Sequence, residues 1–416
     1  MIKRTRYAPA LMVLSIVLIL SACGGGGNKV EVFPFWTGND VKSFDALVNS
    51  FQEAYPDIQF VNGALGIGPG VDTHFVLNTL IKAGETPDSW QGIAGKTLTD
   101  EYARSGQIQP LNDLYEAEGW FNAMPKNLIP LISEDDSIYS VPINVHRTNV
   151  LWYNPAILDA NGIAVPKNMN EWFLAMDSIS AAGFTPLAIG DQSTKMILFE
   201  TVLLSNLGSI KYNSLWTGTV SWGGDEVQNA LEDYQRLLTF IDKGTDALSW
   251  QEAAELVASG KAAFIVMDDR ANGYFLERGK APTVDYNWAP VPGTDGAFQF
   301  YSDSFVLAED ALNEKNARTW LAFVGSQKGQ ETFNVKAGTM CARVDCDPSL
   351  FDKYVQSSMA SWPNDALAGS LSYGMVANAR WKSEIDAALT TFLQNGELGA
   401  FQDALVAACK NAGPCR

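Results

Sequence analysis

The chain has 416 residues, of which 47% are hydrophobic, and a formal net charge of −18 at pH 7. This length and composition suit two domains with real cores, because one domain usually takes about 100–200 residues. The acidic balance argues against nucleic acid or anionic lipid as a partner, because both repel an acidic surface; solubility alone explains it.

The first 28 residues have the pattern of an export signal followed by an anchor. Basic residues precede the apolar run 10–20 and small residues follow it, as in a secretory signal peptide over 1–22. The run is short for a transmembrane helix, which needs about 20 residues. LSAC resembles the lipobox of bacterial lipoproteins, which implies that Cys23 is lipidated and that residues 23–28 form a glycine-rich tether. The alternative is an ordinary signal peptide with a chance cysteine.

Strand and helix patterns alternate after the tether. KVEVFPFW (29–36), DIQFVN (57–62) and DSWQGIA (88–94) predict strands. Asp40 can cap a helix after the first strand, and a second helix is predicted near 71–83. The apolar stripe of the first helix consists of Val41, Phe44, Leu47, Val48 and Phe51. This order predicts an α/β fold with a mostly parallel sheet and helices on its faces.

Polar and aromatic residues gather at the predicted strand ends, where open parallel sheets bind ligands. Trp36 follows the first strand, in a predicted loop, and Gln91 lies near the end of the third. The strand KAAFIVMDD (261–269) has an apolar run that suits burial on both faces. Its end carries Asp268, Asp269 and Arg270.

Enzyme signatures are missing. The sequence has no G-x-S-x-G, H-E-x-x-H or P-loop motif, and its two histidines, His74 and His146, leave little room for a triad or a zinc centre. A glycosidase needs paired carboxylates, which occur at 134–136 and 268–269. Residues 134–136 suit a solvated turn. Adjacent residues on a strand point to opposite faces, so the carboxylates at 268–269 would not lie on either side of a glycosidic bond. We expect no catalysis, no cofactor and no metal.

Four further cysteines form two close pairs, Cys341 with Cys346 and Cys409 with Cys415. Disulfides persist in exported proteins, so two small local loops are expected, although the sequence alone does not fix the pairing. A zinc site would need a histidine nearby, and neither histidine is close in sequence.

The composition suits sugar binding. Flat aromatic rings, including those of 12 tryptophans, can cover the apolar C–H faces of a sugar. Charged and amide side chains can bond its hydroxyl rim. A pocket of this kind rejects analogues that lack a hydroxyl, because its buried polar groups would then be unpaired.

Five stretches resemble extracellular solute-binding proteins of bacterial sugar ABC transporters, most of all the glucose/mannose-type binding lipoproteins. They are SVPINVHRTNVLWYN (140–154), LSWQEAAELVASGKAAFIVMDDRANGYF (248–275), WAPVPGT (288–294), YSDSFVL (301–307) and ARWKSEIDAALTTFL (379–393). The resemblance covers nearly the whole mature chain. It implies a two-lobed periplasmic-binding-protein fold with the ligand cleft between the lobes. The N-terminal lobe would comprise residues 29–142 plus about 298–337, and the C-terminal lobe about 143–297 plus 338–416.

Residues matched one at a time to the family imply a set of sugar contacts. They are Trp36, Gln91, Trp250, Asp269, Arg270, Asp303, Lys336 and Tyr373. The chain departs from the family at Phe35 and Arg270, where tryptophan is common, and at Ile93 and Tyr373, where histidine is usual. Arg270 could stack on a sugar, meet an acidic sugar or pair with a neighbouring aspartate, and we expect the pair.

Three residues of the INVHRTNV stretch lie where the chain would cross between lobes. Asn144, His146 and Arg147 are predicted to pack in the hinge, with a satisfied hydrogen bond on the histidine rather than a sugar contact. His74 lies in a predicted helix and is expected to be structural.

The resemblance implies a monomeric, lipid-anchored, extracytoplasmic binding protein of a carbohydrate ABC importer. It would capture a monosaccharide or small oligosaccharide by hinge closure and deliver it to a membrane permease, on the periplasmic side or at the cell surface. The alternatives are a lipid-anchored glycoside hydrolase and a binding protein for a non-sugar solute such as a peptide or a metal, of which the shortage of histidine disfavours the metal.

Overall fold

The computed structural model describes residues 28–36, 41–65, 73–242 and 248–415. The predicted signal peptide, Cys23, most of the tether and the predicted cap Asp40 lie outside these residues. In the described part of the chain, no helix combines the length and the apolar character that crossing a membrane requires.

Strands and helices alternate along most of the chain. The strands are β1 Lys29–Phe33, β2 Gln59–Asn62, β3 Ser89–Ile93, β4 Ser133–Glu134, β5 Ser137–Ile138, β6 Ser140–Pro142, β7 Asn144–Arg147, β8 Val150–Tyr153, β9 Thr185–Ala188, β10 Ala262–Val266, β11 Asn287–Pro290, β12 Ala297–Tyr301, β13 Asp303–Leu307, β14 Met340–Cys341 and β15 Ala366–Gly369. The helices are α1 Val41–Ala54, α2 Thr73–Ala83, α3 Asn112–Ala117, α4 Trp120–Ala123, α5 Pro155–Ala160, α6 Met169–Ala181, α7 Gln192–Trp216, α8 Asp225–Leu238, α9 Trp250–Ala258, α10 Arg270–Glu277, α11 Glu314–Gly325, α12 Gln327–Ala337, α13 Lys353–Ser361, α14 Ala379–Asn395 and α15 Leu398–Ala412. Single turns of other helix types lie at Leu98–Ala103, Ile129–Ile132 and Pro348–Leu350.

The first sheet has the strand order β2-β1-β3-β13-β6 and forms the N-terminal lobe with its helices. β1 runs parallel to β2 and β3, so the predicted parallel order is confirmed, while β13 joins β3 and β6 antiparallel. Helix α1 buries three residues of its predicted stripe, and Val41 and Val48 are only partly buried. Phe44 and Phe51 pack edge-on against Trp320 of α11, which fixes α1 and α11 on one side of the sheet.

The second sheet has the order β11-β8-β10-β9 and forms the C-terminal lobe with its helices. Every residue of β10 is buried, as its apolar run predicts. The strand ends at Val266, earlier than predicted, because Asp269 already occupies the position before the first turn of α10. The strand therefore delivers Asp268, Asp269 and Arg270 at a strand-to-helix junction.

A third sheet, β14-β7-β12-β15, links the two lobes. Along the described residues the chain passes between the first and third sheets at three places: from β6 to β7 through Ile143, from β12 to β13 through Ser302, and from β13 to β14 through α11 and α12. The predicted boundary at 142–143 coincides with the first passage, and the one at 297–298 falls at the start of β12. The lobe boundaries themselves stay a prediction.

Two local features were expected from the sequence. Residues 134–136 lie in the β4–β5 hairpin, with Asp135 and Asp136 exposed at its turn, so the solvated turn is confirmed. Disulfides join Cys341 to Cys346 and Cys409 to Cys415, so each bond closes a short local loop.

Candidate functional site

A cleft of about 480 Å³ lies between the lobes. Its volume falls in the range of about 300–1,000 Å³ that is usual for small-molecule sites. The N-terminal lobe contributes residues from the ends of β1, β3 and β13 and from α2 and α12. The C-terminal lobe contributes residues from α9, α10 and the segment after β15, and the linking sheet contributes His146 and Tyr301.

Most of the predicted contact residues meet in this cleft. Those that line it are Trp36, Gln91, Trp250, Arg270, Asp303, Lys336 and Tyr373. Asp269 does not line the cleft: it is 1% exposed, and its carboxylate accepts bonds from the ring of His146 and the backbone N–H of Arg147. Because its oxygens already have protein partners behind the wall, the prediction that Asp269 contacts the ligand is corrected to a supporting position.

Asp303, at the start of β13, is held from three sides. Its Oδ1 accepts from Nε2 of Gln91 at 2.9 Å, and its Oδ2 accepts from Nδ2 of Asn144 at 2.8 Å. Its own backbone N–H donates to Oδ1 of Asn144 at 2.8 Å. Burial alone would raise the pKa of Asp303, but His146, Asn144 and Gln91 hold it below its usual range. Asp303 is therefore a fixed, ionised hydrogen-bond acceptor facing the cleft.

An indole ring lies on each lobe. Trp36 is partly buried in the loop after β1, as predicted, and packs on Phe333 of α12 with the ring centroids 4.8 Å apart. Trp250 is the first residue of α9, where a capping box between Ser249 and Glu252 fixes the helix start. Its ring packs edge-on against Tyr274 at 5.6 Å. The cleft thus has an aromatic surface on each side.

Arg270 forms the expected ion pair with a neighbouring aspartate. Its Nε and Nη2 donate to the carboxylate of Asp268 at 3.0 and 2.9 Å, and Nη2 also donates to the hydroxyl of Tyr373. That hydroxyl in turn donates to Asp268. Burial would raise the pKa of Asp268, but Arg270 lowers it below its usual value. The three side chains form one closed network in the C-terminal wall.

His146 lies in β7 of the linking sheet and has the hydrogen bonds that were expected of it. Its Nδ1 is 2.6 Å from Oδ1 of Asp269, and its Nε2 lies 2.9 Å from Nδ2 of Asn144 and 3.3 Å from Oδ2 of Asp303. Burial would lower the pKa of His146, but the two carboxylates raise it to about 10. The ring of His146 therefore ties Asp269 of one lobe to Asp303 of the other, and one edge of it also lines the cleft.

The other two residues predicted for the hinge are buried in the same strand. Asn144 orients Asp303, as described above. Arg147 donates to Oδ1 of Asn149 and to the carbonyl of Ala297, and its guanidinium lies 4.6 Å from the ring centre of Phe298. The contacts of Arg147 join β7 to β12 and to the loop after β7, and those of Asn144 join β7 to β13. Their role in a hinge movement stays a prediction.

The sequence analysis missed several cleft residues. Tyr301 is stacked between His146 and Tyr373, with ring centroids 4.2 and 3.7 Å apart, so three rings form a column in the cleft wall. His74 was expected to be structural, but it is exposed on α2, lines the cleft and lies against Phe35 at 3.9 Å. The sequence signal for Tyr301 was its place two residues before Asp303.

A buried carboxylate positions the segment that carries Tyr373. Glu200 in α7 is 0% exposed and accepts from Oγ of Ser370 and from the backbone N–H of Ser372, both at 2.8 Å. Burial raises its pKa to about 7. A lone glutamate inside the apolar run MILFETVLL was the sequence signal for such a role.

The same segment also touches the N-terminal lobe. The backbone N–H of Lys96 donates to the carbonyl of Met375 at 2.9 Å, and Oγ1 of Thr97 donates to the carbonyl of Gly374. Gly374 has a φ of +72°, and a Cβ there would lie 2.5 Å from Oγ1 of Thr97. Glycine is therefore required for this approach. The loop after β15 bridges the lobes behind Tyr373.

In the described ranges, no group of three or more His, Cys, Asp or Glu side chains is placed to hold a metal ion.

Known proteins resemble this chain over most of its length. Residues 36–331 match the family described as bacterial extracellular solute-binding protein. An uncharacterised ABC transporter extracellular-binding protein of Pyrococcus horikoshii is 32% identical over 83% of this chain and 81% of its own. A "probable sugar-binding periplasmic protein" of Rhizobium meliloti is 28% identical over 95% of this chain and 96% of its own. Among solved structures, a chitin oligosaccharide binding protein has a TM-score of 0.80 at 17% identity, over 93% of this chain and 99% of its own.

These similarities establish both fold and family. The structural likeness confirms the predicted two-lobed α/β architecture. The family consists of proteins that bind solutes, which confirms the prediction that the chain is not an enzyme. Because the match spans most of the chain, this protein belongs to the bacterial extracellular solute-binding proteins.

Proposed function

We propose that this protein captures a monosaccharide or small oligosaccharide between its lobes and delivers it to the permease of an ABC importer. The observation that carries the proposal is the arrangement around Asp303: a fixed carboxylate in a cleft whose two sides each present an indole ring. The names of the relatives, an ABC transporter extracellular-binding protein and a sugar-binding periplasmic protein, support it.

The cleft offers both kinds of contact that a sugar needs. Trp36 and Trp250 can cover its apolar C–H faces. Asp303 accepts from hydroxyls, while Lys336 and Arg270 donate to them. Bonds to charged partners contribute about 1.5–3 kcal/mol each, so a few of them suffice for tight binding. A cleft of about 480 Å³ suits a ligand of one or two sugar rings better than a long chain.

Ligand binding is expected to close the cleft. The two lobes meet through β7, β12 and the loop after β15, which are narrow connections that permit hinge bending. A sugar favours the closed form only by as much as it contacts that form better than the open one. Trp36 and Trp250 lie on different lobes, so a ligand that contacts both rings favours the closed form.

We also infer that the mature protein is held outside the cytoplasm at the membrane through acyl chains on Cys23, in agreement with the lipobox-like LSAC. One chain gives only marginal attachment, so lasting attachment needs more than one. Membrane fractionation of wild type and Cys23→Ala tests this inference, with release of the variant as the expected result. A variant that stays in the membrane fraction contradicts it.

A calorimetric screen of the wild type against glucose, mannose, galactose, xylose, maltose and a uronic acid tests the proposed function. We expect saturable binding of at least one sugar, which is then recovered intact. Turnover of an oligosaccharide would contradict the proposal in favour of a hydrolase. Binding of peptides but of no sugar would contradict it in favour of another solute.

Trp36→Ala is expected to weaken the binding of that sugar at least tenfold, because one C–H face loses its aromatic cover. Tenfold corresponds to about 1.4 kcal/mol. Trp288→Ala is the matched control: Trp288 is also partly buried and packs on other aromatic rings, but it lies outside the cleft. Calorimetry should show normal affinity for the control. Unchanged affinity in Trp36→Ala would show that the Trp36 ring does not contact the sugar.

A further inference from the structure

The guanidinium of Arg270 has donors that its protein partners leave unused. An arginine carries five N–H groups in a planar fork. In Arg270, Nε and Nη2 are taken by Asp268 and Tyr373. Within the part of the chain that the structure describes, the two N–H groups of Nη1 have no acceptor. The side chain is 25% exposed and lines the cleft, so this edge of the fork is available to a ligand.

The fork is also held rigidly. Asp268 is 0% exposed and binds one edge of the guanidinium with both oxygens. The guanidinium carbon lies 5.4 Å from the ring centre of Trp250 and 5.5 Å from that of Tyr373. Tyr373 itself is stacked on Tyr301. Donors fixed in this way point in set directions, so they select where the oxygen atoms of a ligand must lie, which a flexible ammonium group does not do.

The charge of the fork is balanced inside the protein. Asp268 neutralises Arg270, and Asp269 and Asp303 flank His146. Glu277, a further acidic residue of the lining, pairs with Lys42 at 3.1 Å. Lys336 adds one cation, and Asp303 and Glu277 both present carboxylates to the cleft. A carboxylate on the ligand would therefore meet acidic groups and no strong excess of positive charge.

We infer that Arg270 is a specificity-determining residue, which donates from Nη1 to oxygens of an uncharged sugar, while Asp268 keeps the site from accepting uronates. The inference rests on the proposed function and adds to it the charge class of the ligand. A ligand whose hydroxyl or ring oxygens accept from Nη1 satisfies these donors without carrying charge. A uronate at Nη1 would meet a guanidinium whose charge Asp268 already neutralises, so it would gain little from an ion pair.

Calorimetry with matched probes tests the inference. The probes are D-glucose, D-galactose and D-xylose, with D-glucuronate and D-galacturonate as the acidic counterparts. The wild type should bind a neutral sugar at least tenfold more tightly than its uronate. Arg270→Met and Arg270→Lys should each weaken that binding at least tenfold, because the first loses all donors and the second loses the fork. Asp268→Asn should raise the ratio of uronate to neutral-sugar affinity at least tenfold.

Arg278→Met is the matched control. Arg278 follows α10, pairs with Glu255 and lies over the ring of Tyr274, but it does not line the cleft, so its loss should leave affinity unchanged. Thermal unfolding checks that each variant is folded. If Asp268→Asn does not fold, the affinity of Arg270→Lys for the neutral sugar tests the inference. A neutral sugar bound equally well by wild type, Arg270→Met and Arg270→Lys overturns this inference alone. Tighter binding of a uronate by the wild type also overturns it, whereas binding of no sugar overturns the proposed function with it.

Discussion

Asp303→Asn is expected to weaken sugar binding about a hundredfold. The substitution keeps the volume of the side chain but replaces an ionised acceptor by an amide. Two hydroxyl bonds to a charged acceptor contribute about 3 kcal/mol or more, and each tenfold change in affinity corresponds to about 1.4 kcal/mol. In addition, the new amide nitrogen must face a donor, either Nε2 of Gln91 or Nδ2 of Asn144. Calorimetric titration with the sugar found in the screen measures the loss.

Asp88→Asn is the control for this substitution. Asp88 precedes β3 of the same sheet, is 3% exposed and accepts from the backbone N–H of Glu31 and Asn313. It does not line the cleft. The control should lose stability and keep its sugar affinity within about twofold, which separates damage to the sheet from damage to the site. Equal affinities of Asp303→Asn and wild type would exclude Asp303 as a ligand contact.

Glu200→Gln is expected to flatten the dependence of stability on pH. Burial raises the pKa of Glu200 from 4.5 to about 7, so between these values the folded protein holds a proton that the unfolded chain has lost. The wild type therefore loses stability as pH rises from about 4.5 to about 7, and the change approaches 3 kcal/mol. Glutamine does not titrate, so the stability of the variant lacks this pH-dependent contribution. Urea unfolding at several pH values between 4.5 and 8 measures the difference between the two proteins.

Glu232→Gln serves as the control for the pH experiment, since Glu232 is an exposed glutamate of α8. Its stability curve should run parallel to that of the wild type. The other charged or phenolic groups that act on Glu200 are Lys382, Tyr212 and Tyr373, and all three remain in every protein compared. Parallel curves for Glu200→Gln and wild type would show that Glu200 is ionised throughout this range.

The sequence alone determined the first five elements and their order. Apolar stripes and strand runs are local patterns, so α1, α2 and the parallel strands β1, β2 and β3 followed from them directly. Trp36 and Gln91 were found because ligands of such sheets bind beyond the strand ends. The motifs shared with sugar-binding proteins added Trp250, Asp303, Lys336 and Tyr373, which the structure places in one cleft.

Only the tertiary structure decided which groups face the cleft and which support them. His146 and Asp269 are 123 residues apart, and Arg270 and Tyr373 are 103 apart, yet each pair is hydrogen-bonded. The periodicity of a sequence does not show which distant residues meet in space, because their contact depends on how the sheets pack. For that reason Asp269 was assigned to the ligand although it lies behind His146, and the role of Glu200 was missed. The residue types were visible in the chain, but their partners depend on the fold that brings the two lobes together.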